Sequence, residues 1–237
     1  MRQLRGLEAV ERALDAGQEV TLVLLPQRGA SRRAEALARR ARSAGIEVRR
    51  IGPPALARYA QDAEGVELLA LQGRRPEPTV EAILGAGGAA WLLAGIRYPG
   101  NAGFAIRAAE VSGSTGVILD AAFDHVGRRE ATRASMRADW FMPVCWAPAL
   151  PTVEAARASG HRIIAIEDAG RESPWEVDLR GSLLLVVGGE REGTPAALLE
   201  RAHHVVRIPM AGFIPSYNLQ AAVAVLAAER LRQLGVR

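Results

Sequence analysis

The sequence predicts an α/β fold in two parts: a small amino-terminal domain and a larger carboxyl-terminal domain built on a mainly parallel sheet. Three observations carry that prediction. Short apolar runs alternate with helix-period segments along the chain, as in layered α/β folds. Several runs in the second half are apolar without a break, as in parallel strands buried on both faces. The stretch QGRRPEPTV, residues 72–80, gathers two prolines, a glycine and paired arginines, which marks a linker. The expected divisions are 1–72 for the first domain, 73–84 for the linker and 85–237 for the second domain.

The elements follow in order. Residues 1–17 read as an amphipathic helix, with Leu7, Val10 and Leu14 at helical spacing and Gly17 placed to end it. Residues 19–25 (EVTLVLL) read as a strand, and residues 31–45 as a helix with a serine start and a glycine stop. Residues 47–51 form a second expected strand, Pro53 and Pro54 open a short helix over 55–62, and residues 65–71 form a third strand. Beyond the linker, strands are expected at 89–95, 115–119, 142–147, 161–167, 182–189 and 204–210, with helices between most of them.

Composition narrows the chemistry. With 237 residues, 49% of them hydrophobic, the chain can bury a substantial core. It has no apolar run long enough for a transmembrane helix, and its start has no signal-peptide core, so a cytoplasmic location is expected. A single cysteine, Cys145, excludes an internal disulfide framework and a cysteine metal cluster. His125, His161, His203 and His204 do not stand at metal-ligand spacing, so no metal is expected. All 30 Lys+Arg positions are arginine, which excludes a P-loop lysine and a Schiff-base or pyridoxal lysine. The net charge of +4 and the preference of arginine for bidentate phosphate contacts suit a nucleic-acid partner.

Three strand ends carry unusual residues, and in a parallel sheet ligands sit beyond such ends. The first is RYPGNAGFAIRAAEVSG, where Asn101 and Arg107 flank a tight loop containing Pro99, Gly100 and Gly103. Arg107 reads either as an exposed helix arginine or, with Asn101, as a holder of a phosphate-bearing ligand. The second follows the apolar run through Val187: Gly188 and Gly189 permit close backbone approach, and Glu190 and Gly193 precede a helix. Glu190 reads as a turn residue or as part of a site, and no dinucleotide or Walker fingerprint is present. The third is IPMAGFIPSYNLQ, in which Ile208, Pro209 and Met210 lead to Ser216, Tyr217 and Asn218 at the start of an alanine-rich helix. Ser216 and Asn218 are both helix-capping types, so a cap and a ligand site are equally open readings there.

In succession these segments resemble the three motifs of the SPOUT superfamily, in particular its RNA ribose 2′-O-methyltransferases related to TrmH and SpoU. Asn101, Gly103 and Arg107 match the first motif; Gly188, Glu190 and Gly193 the second; Ile208, Pro209, Met210, Gly212, Ser216 and Asn218 the third. The resemblance spans about residues 89–233, and GLEAV near the start is similar to the opening of a substrate-binding domain found in many members. Three departures stand out: Tyr217 where leucine is usual, Leu219 and Gln220 in place of valine and serine, and Arg137 where glycine is common.

The resemblance implies a carboxyl-terminal trefoil knot, a feature otherwise nearly absent from folds. It implies S-adenosylmethionine as cofactor, held by Val187, Gly188, Gly189, Ile208, Pro209, Met210, Tyr217 and Asn218. It implies Arg107 as the key catalytic group, arranged by Asn101, Glu190, Ser216 and Asn218, with the methyl passing to a ribose 2′-hydroxyl and no metal. A homodimer is implied too, with RNA bound by the first domain through arginines such as Arg32, Arg33, Arg39 and Arg40. Ribosomal RNA of the large subunit is the expected substrate. The alternatives are tRNA, a catalytically weak RNA-binding protein of the same fold, or an oxidoreductase, which the missing glycine fingerprint argues against.

Overall fold

Val20, Val23 and Leu25 are buried along a single strand, and the first unit is organised around it. The computed structural model describes residues 2–61, 65–74 and 76–236, which fall into two units, residues 1–75 and 76–237. In the first unit the elements run β1 (Arg2–Arg5), α1 (Leu7–Asp15), β2 (Val20–Pro26), α2 (Arg32–Ser43), β3 (Glu47–Ile51), α3 (Pro53–Tyr59) and β4 (Leu69–Gln72). The sheet order is β1-β4-β2-β3; β2 and β3 are parallel, and β4 runs antiparallel to both β2 and β1. Helix α2 starts as expected: the Ser31 Oγ accepts the Ala34 N–H at 3.2 Å, and Ala34, Leu37, Ala38 and Ala41 face the core.

The amino terminus differs from its sequence reading. Residues 2–5 are an edge strand paired with β4, Arg2 opposite Gln72, and the helix begins only at Leu7. Gly6 lies between them at φ +85, a backbone state that interrupts a helix. The third strand starts at Leu69, four residues later than expected, and Asp62 of the expected short helix lies outside the described residues.

The second unit opens with α4 (Val80–Gly85), in the stretch read as linker. Thr79 caps it by accepting the Ala82 N–H at 3.2 Å, and Ile83 and Leu84 are buried, so this turn belongs to the fold. Then come β5 (Ala89–Ala94), α5 (Pro99–Val111), β6 (Gly116–Asp120), α6 (His125–Ala134), a 3₁₀ turn (Ala138–Trp140) and β7 (Val144–Trp146). They are followed by α7 (Ala149–Ala158), β8 (Arg162–Ile166), β9 (Leu183–Gly188), α8 (Ala196–Leu199), β10 (His204–Val206) and α9 (Leu219–Gln233). Six strands form one sheet in the order β10-β8-β9-β5-β6-β7, all parallel.

Side chains alternate across this sheet into two apolar layers. Trp91, Leu93, Leu185 and Val187 pack beneath α5 and α9, whereas Leu92, Leu184 and Val186 pack against residues of α4 and α7. Strands β5, β6 and β7 step to one side, while β8 crosses to the other and β9 returns to pair with β5. The chain therefore reverses direction between β5 and β9, and the crevice beyond their carboxyl ends is where such sheets place ligands. Among the described residues no helix is long and apolar enough to cross a membrane.

Candidate active site at the sheet edge

The floor of the site is backbone. A Cβ on Gly188 would lie 2.0 Å from the Gly193 carbonyl carbon, and one on Gly189 would lie 2.2 Å from the Gly95 oxygen. No side chain fits at either position. Gly189 and Gly193 exchange N–H···O bonds of 3.2 and 3.0 Å, which closes the turn after β9, and Gly193 sits at φ +65.

Glu190 ties this turn to the start of α5. Its Oε1 accepts from the Asn101 Nδ2 at 2.9 Å and its Oε2 from the Arg97 backbone N–H at 3.1 Å. Both oxygens face donors, so Glu190→Gln places an amide NH₂ against an N–H at one of the two. We expect this substitution to impair the site's activity and to cost about 1–3 kcal/mol of stability. Denaturant unfolding alongside turnover checks it; unchanged values of both would refute the tie.

Pro99 is the first residue of α5, so Asn101 and Gly103 stand inside the helix and not in a loop as the sequence suggested. Gly103 is a packing residue: a Cβ there would meet the Ala131 oxygen of α6 at 2.4 Å. Asn101 and Arg107 are roughly 120° apart around the helix axis, and they do not form one clamp. The Asn101 amide is held by Glu190, whereas Arg107 is exposed with no hydrogen-bond or ion-pair partner among the described residues.

The third segment divides. Strand β10 stops at Val206, and Ile208 is buried against the site. Pro209 and Met210 instead line a separate cavity of about 510 Å³, shared with residues 170–173, Glu176 and Arg207. Residues 211–218 are exposed throughout, and Phe213 and Ile214 stand in solvent. Tyr217 crosses back over this loop, its O–H donating to the Pro209 carbonyl at 3.3 Å. The cap of α9 is Asn218, whose Oδ1 accepts the Gln220 N–H at 3.0 Å; the Ser216 side chain has no hydrogen-bond partner among the described residues.

These elements enclose a cavity of about 450 Å³ lined by residues 166–168, 187–191, 215–219, Gly193, Ile208 and Ala222. Its size suits a small-molecule ligand. Ile166, Val187, Ile208, Leu219 and Ala222 supply apolar wall; Glu167, Asp168, Glu190, Ser216 and Asn218 supply polar groups. Of the residues expected to hold a cofactor, Val187, Gly188, Gly189, Ile208, Tyr217 and Asn218 line it, and Pro209 and Met210 do not. Sequence reasoning missed residues 166–168. The signal was present as an acid pair closing an apolar strand: the Glu167 Oε2 accepts the Thr194 N–H at 2.6 Å and its Oε1 the Asp168 N–H at 3.1 Å.

Two arginine expectations also change. Arg137 adopts a left-handed backbone (φ +63), which accounts for glycine being common at this position in the resembled family. Its guanidinium reaches the Asp139 carboxylate at 3.0 Å and lies 4.9 Å over the Trp140 ring, with its side chain 39% exposed. In the first unit Arg33 pairs with Glu11 and Arg40 with Asp15, while Arg32 and Arg39 are exposed and form no hydrogen bond or close ion pair among the described residues, Arg39 acting on Glu35 only through space.

A parallel sheet with a cavity of about 450 Å³ at its reversal point, floored by glycines and backed by a polar helix start, has the architecture of α/β proteins that bind small molecules at that edge. The chain belongs to the SpoU rRNA methylase family: the family model matches residues 90–228, more than half of it. It is 29% identical over 143 residues to an uncharacterised tRNA/rRNA methyltransferase of Synechocystis, a match covering 60% of this chain and 52% of that one. It is 28% identical over 245 residues to the 23S rRNA (guanosine-2′-O-)-methyltransferase RlmB of Xylella fastidiosa, covering 96% of this chain and 95% of the relative. Its fold is similar to that of an AdoMet-bound rRNA methyltransferase from Sinorhizobium meliloti, with a TM-score of 0.63 and 26% identity, over 98% of this chain and 87% of that one.

Proposed function

We propose that this protein methylates a ribose 2′-hydroxyl of RNA, with S-adenosylmethionine as donor and 23S ribosomal RNA as substrate. The observation that carries the reading is the glycine-floored cavity at the β9 end, bounded by family-motif residues on two sides. Its residues fit the cofactor: the Gly188–Gly189 backbone, packed tightly on Gly193 and Gly95, lines the cavity, the apolar wall suits a methionine chain, and Glu167 and Asp168 suit a cationic ligand. When bound, the cofactor supplies an electrophilic methyl group on sulfur. The chain's own tasks are to position the RNA and to handle charge on the attacking oxygen.

Arg107 takes the second task. A guanidinium stays protonated in proteins, so it serves poorly as a base. It binds phosphate by its fork and stabilises negative charge developing on the 2′-oxygen. Asn101 and Glu190 act through position, holding the start of α5 against the turn after β9. Asn218 fixes the start of α9 at the facing loop, and Ser216 offers its hydroxyl to the cavity. The carboxyl-terminal segment carrying that loop is the part that would thread the family's knot. The first unit, with Arg32 and Arg39 free of ion pairs, is assigned to RNA binding. A homodimer is supported by apolar side chains left in solvent on α5, Phe104 and Val111, and at the loop tip, Phe213 and Ile214.

Incubation with methyl-labelled cofactor and ribosomal RNA tests the function. Label should appear on ribose, detected as alkali-resistant dinucleotides after hydrolysis. Label confined to bases, or none in RNA, defeats the assignment.

A further inference from the structure

The carboxyl edge of the sheet extends past the cavity, and its far end carries a second set of groups. Strands β6 and β7 end side by side there, Leu119 opposite Trp146. Phe123, in the loop entering α6, meets the Trp146 indole edge-on, ring centroids 5.7 Å apart. The Arg128 guanidinium lies over the same indole, 4.5 Å from its centroid, and its Nε–H donates to the Phe123 carbonyl at 3.3 Å. Arg128 is exposed and has no carboxylate partner among the described residues; the same holds for Arg129 and Arg133 on its helix. The nearby acids are otherwise engaged or outward: Asp124 caps α6 through the Gly127 N–H at 2.8 Å, Asp120 accepts the Ala149 N–H at 2.8 Å, Asp139, which shares a small cavity with Trp146, pairs with Arg137 at 3.0 Å, and Glu130 is exposed.

We propose that Arg128, propped on the half-buried Trp146 and Phe123, presents its guanidinium plane as a stacking platform for one unpaired nucleotide of the RNA, a neighbour of the nucleotide presented to Arg107. The proposal rests on the RNA reading above and adds a place and a mode of contact. Single-stranded RNA is recognised by stacking on aromatic rings and guanidinium planes. Arg128 is held by a ring and a carbonyl, so its plane is set before any ligand arrives, and its terminal nitrogens remain open to a phosphate. A purely structural cation–π tie would gain most from burial, yet this guanidinium is exposed. The platform also abuts the catalytic helix: a Cβ on Gly127 would come within 3.3 Å of the Pro99 Cγ, two residues before Asn101. Two to three strand spacings, roughly 10–15 Å, separate it from β9, the scale of a few nucleotides of extended strand.

The test compares wild type, Arg128→Ala and Arg128→Lys, all full length, for affinity toward a ten-nucleotide unstructured oligoribonucleotide and toward a duplex of equal length. Cofactor affinity is measured in parallel. Arg128→Ala should weaken single-strand binding roughly tenfold, leave duplex binding within about twofold and leave cofactor affinity unchanged. Arg128→Lys keeps the charge without the plane and should recover less than half of the loss in binding free energy. Equal affinities for wild type and Arg128→Ala, full recovery by lysine, or no oligoribonucleotide binding by wild type would each overturn the platform. Tight single-strand binding by wild type with no ribose methylation defeats the proposed function and leaves the platform standing.

Discussion

Arg107→Ala should reduce methyl transfer by about 10²–10³-fold or more, the range seen when one donor to a developing oxyanion is removed. The same variant should bind S-adenosylmethionine as wild type does, because Arg107 does not line the cavity. It should also unfold at the wild-type midpoint. Arg107 is exposed and makes no hydrogen bond or ion pair among the described residues, so its loss strands no buried partner. Function and stability thus separate at this residue. Arg107→Lys is the informative second variant: a point charge replaces a planar fork, and partial activity places the role in charge, whereas alanine-like activity places it in bidentate geometry. Turnover of Arg107→Ala near wild type would remove Arg107 from the mechanism altogether.

Gly188→Ala has the opposite signature. The added methyl meets the backbone of Gly193 and Thr194 at 2.0 and 2.1 Å, atoms that cannot rotate aside. The turn after β9 must shift, and with it Glu190 and the cavity floor. We expect a stability loss of about 1–3 kcal/mol, the range for overpacking, and cofactor affinity lowered by about 100-fold. Gly212→Ala is the control. Nothing lies within 4 Å of a Cβ at that position and its φ is not positive, so both properties should stay at wild-type values. Calorimetric titration and thermal unfolding of the pair decide the point. A Gly188→Ala protein with intact cofactor affinity would show that the floor is not a contact surface.

Much of this was legible in the sequence because it is local. The unbroken apolar runs of β5 and β9 match the pattern of parallel strands buried on both faces, and the sheet bears that out. The helix with a serine start over residues 31–45 was found for the same reason. The misses are non-local or finely balanced. Arg2–Arg5 is a strand only because β4 lies beside it, nearly seventy residues away in the chain. Helix α4 was hidden by the prolines just before Thr79. Ser216 and Asn218 are equally good caps, two residues apart, and only the backbone path selects Asn218. Glycines show the same limit. Gly103, Gly188 and Gly193 look alike in the motifs, yet the first serves helix packing and the second the site floor. Pro209 and Met210 sit in a recognisable motif, but the direction in which they leave β10 is not written in residue type.

The solvent-facing loop has a thermodynamic consequence. Phe213 and Ile214 stand exposed, while Pro215 through Asn218, a few bonds away, form one wall of the cavity. Were this wall to exchange with an open form, the cofactor would meet only the fraction of molecules in which the wall is formed. Whatever covers the two apolar side chains enlarges that fraction and raises apparent cofactor affinity by linkage. If a second copy does so, dilution becomes an inhibitor, and occupancy at fixed cofactor rises with the protein's own concentration.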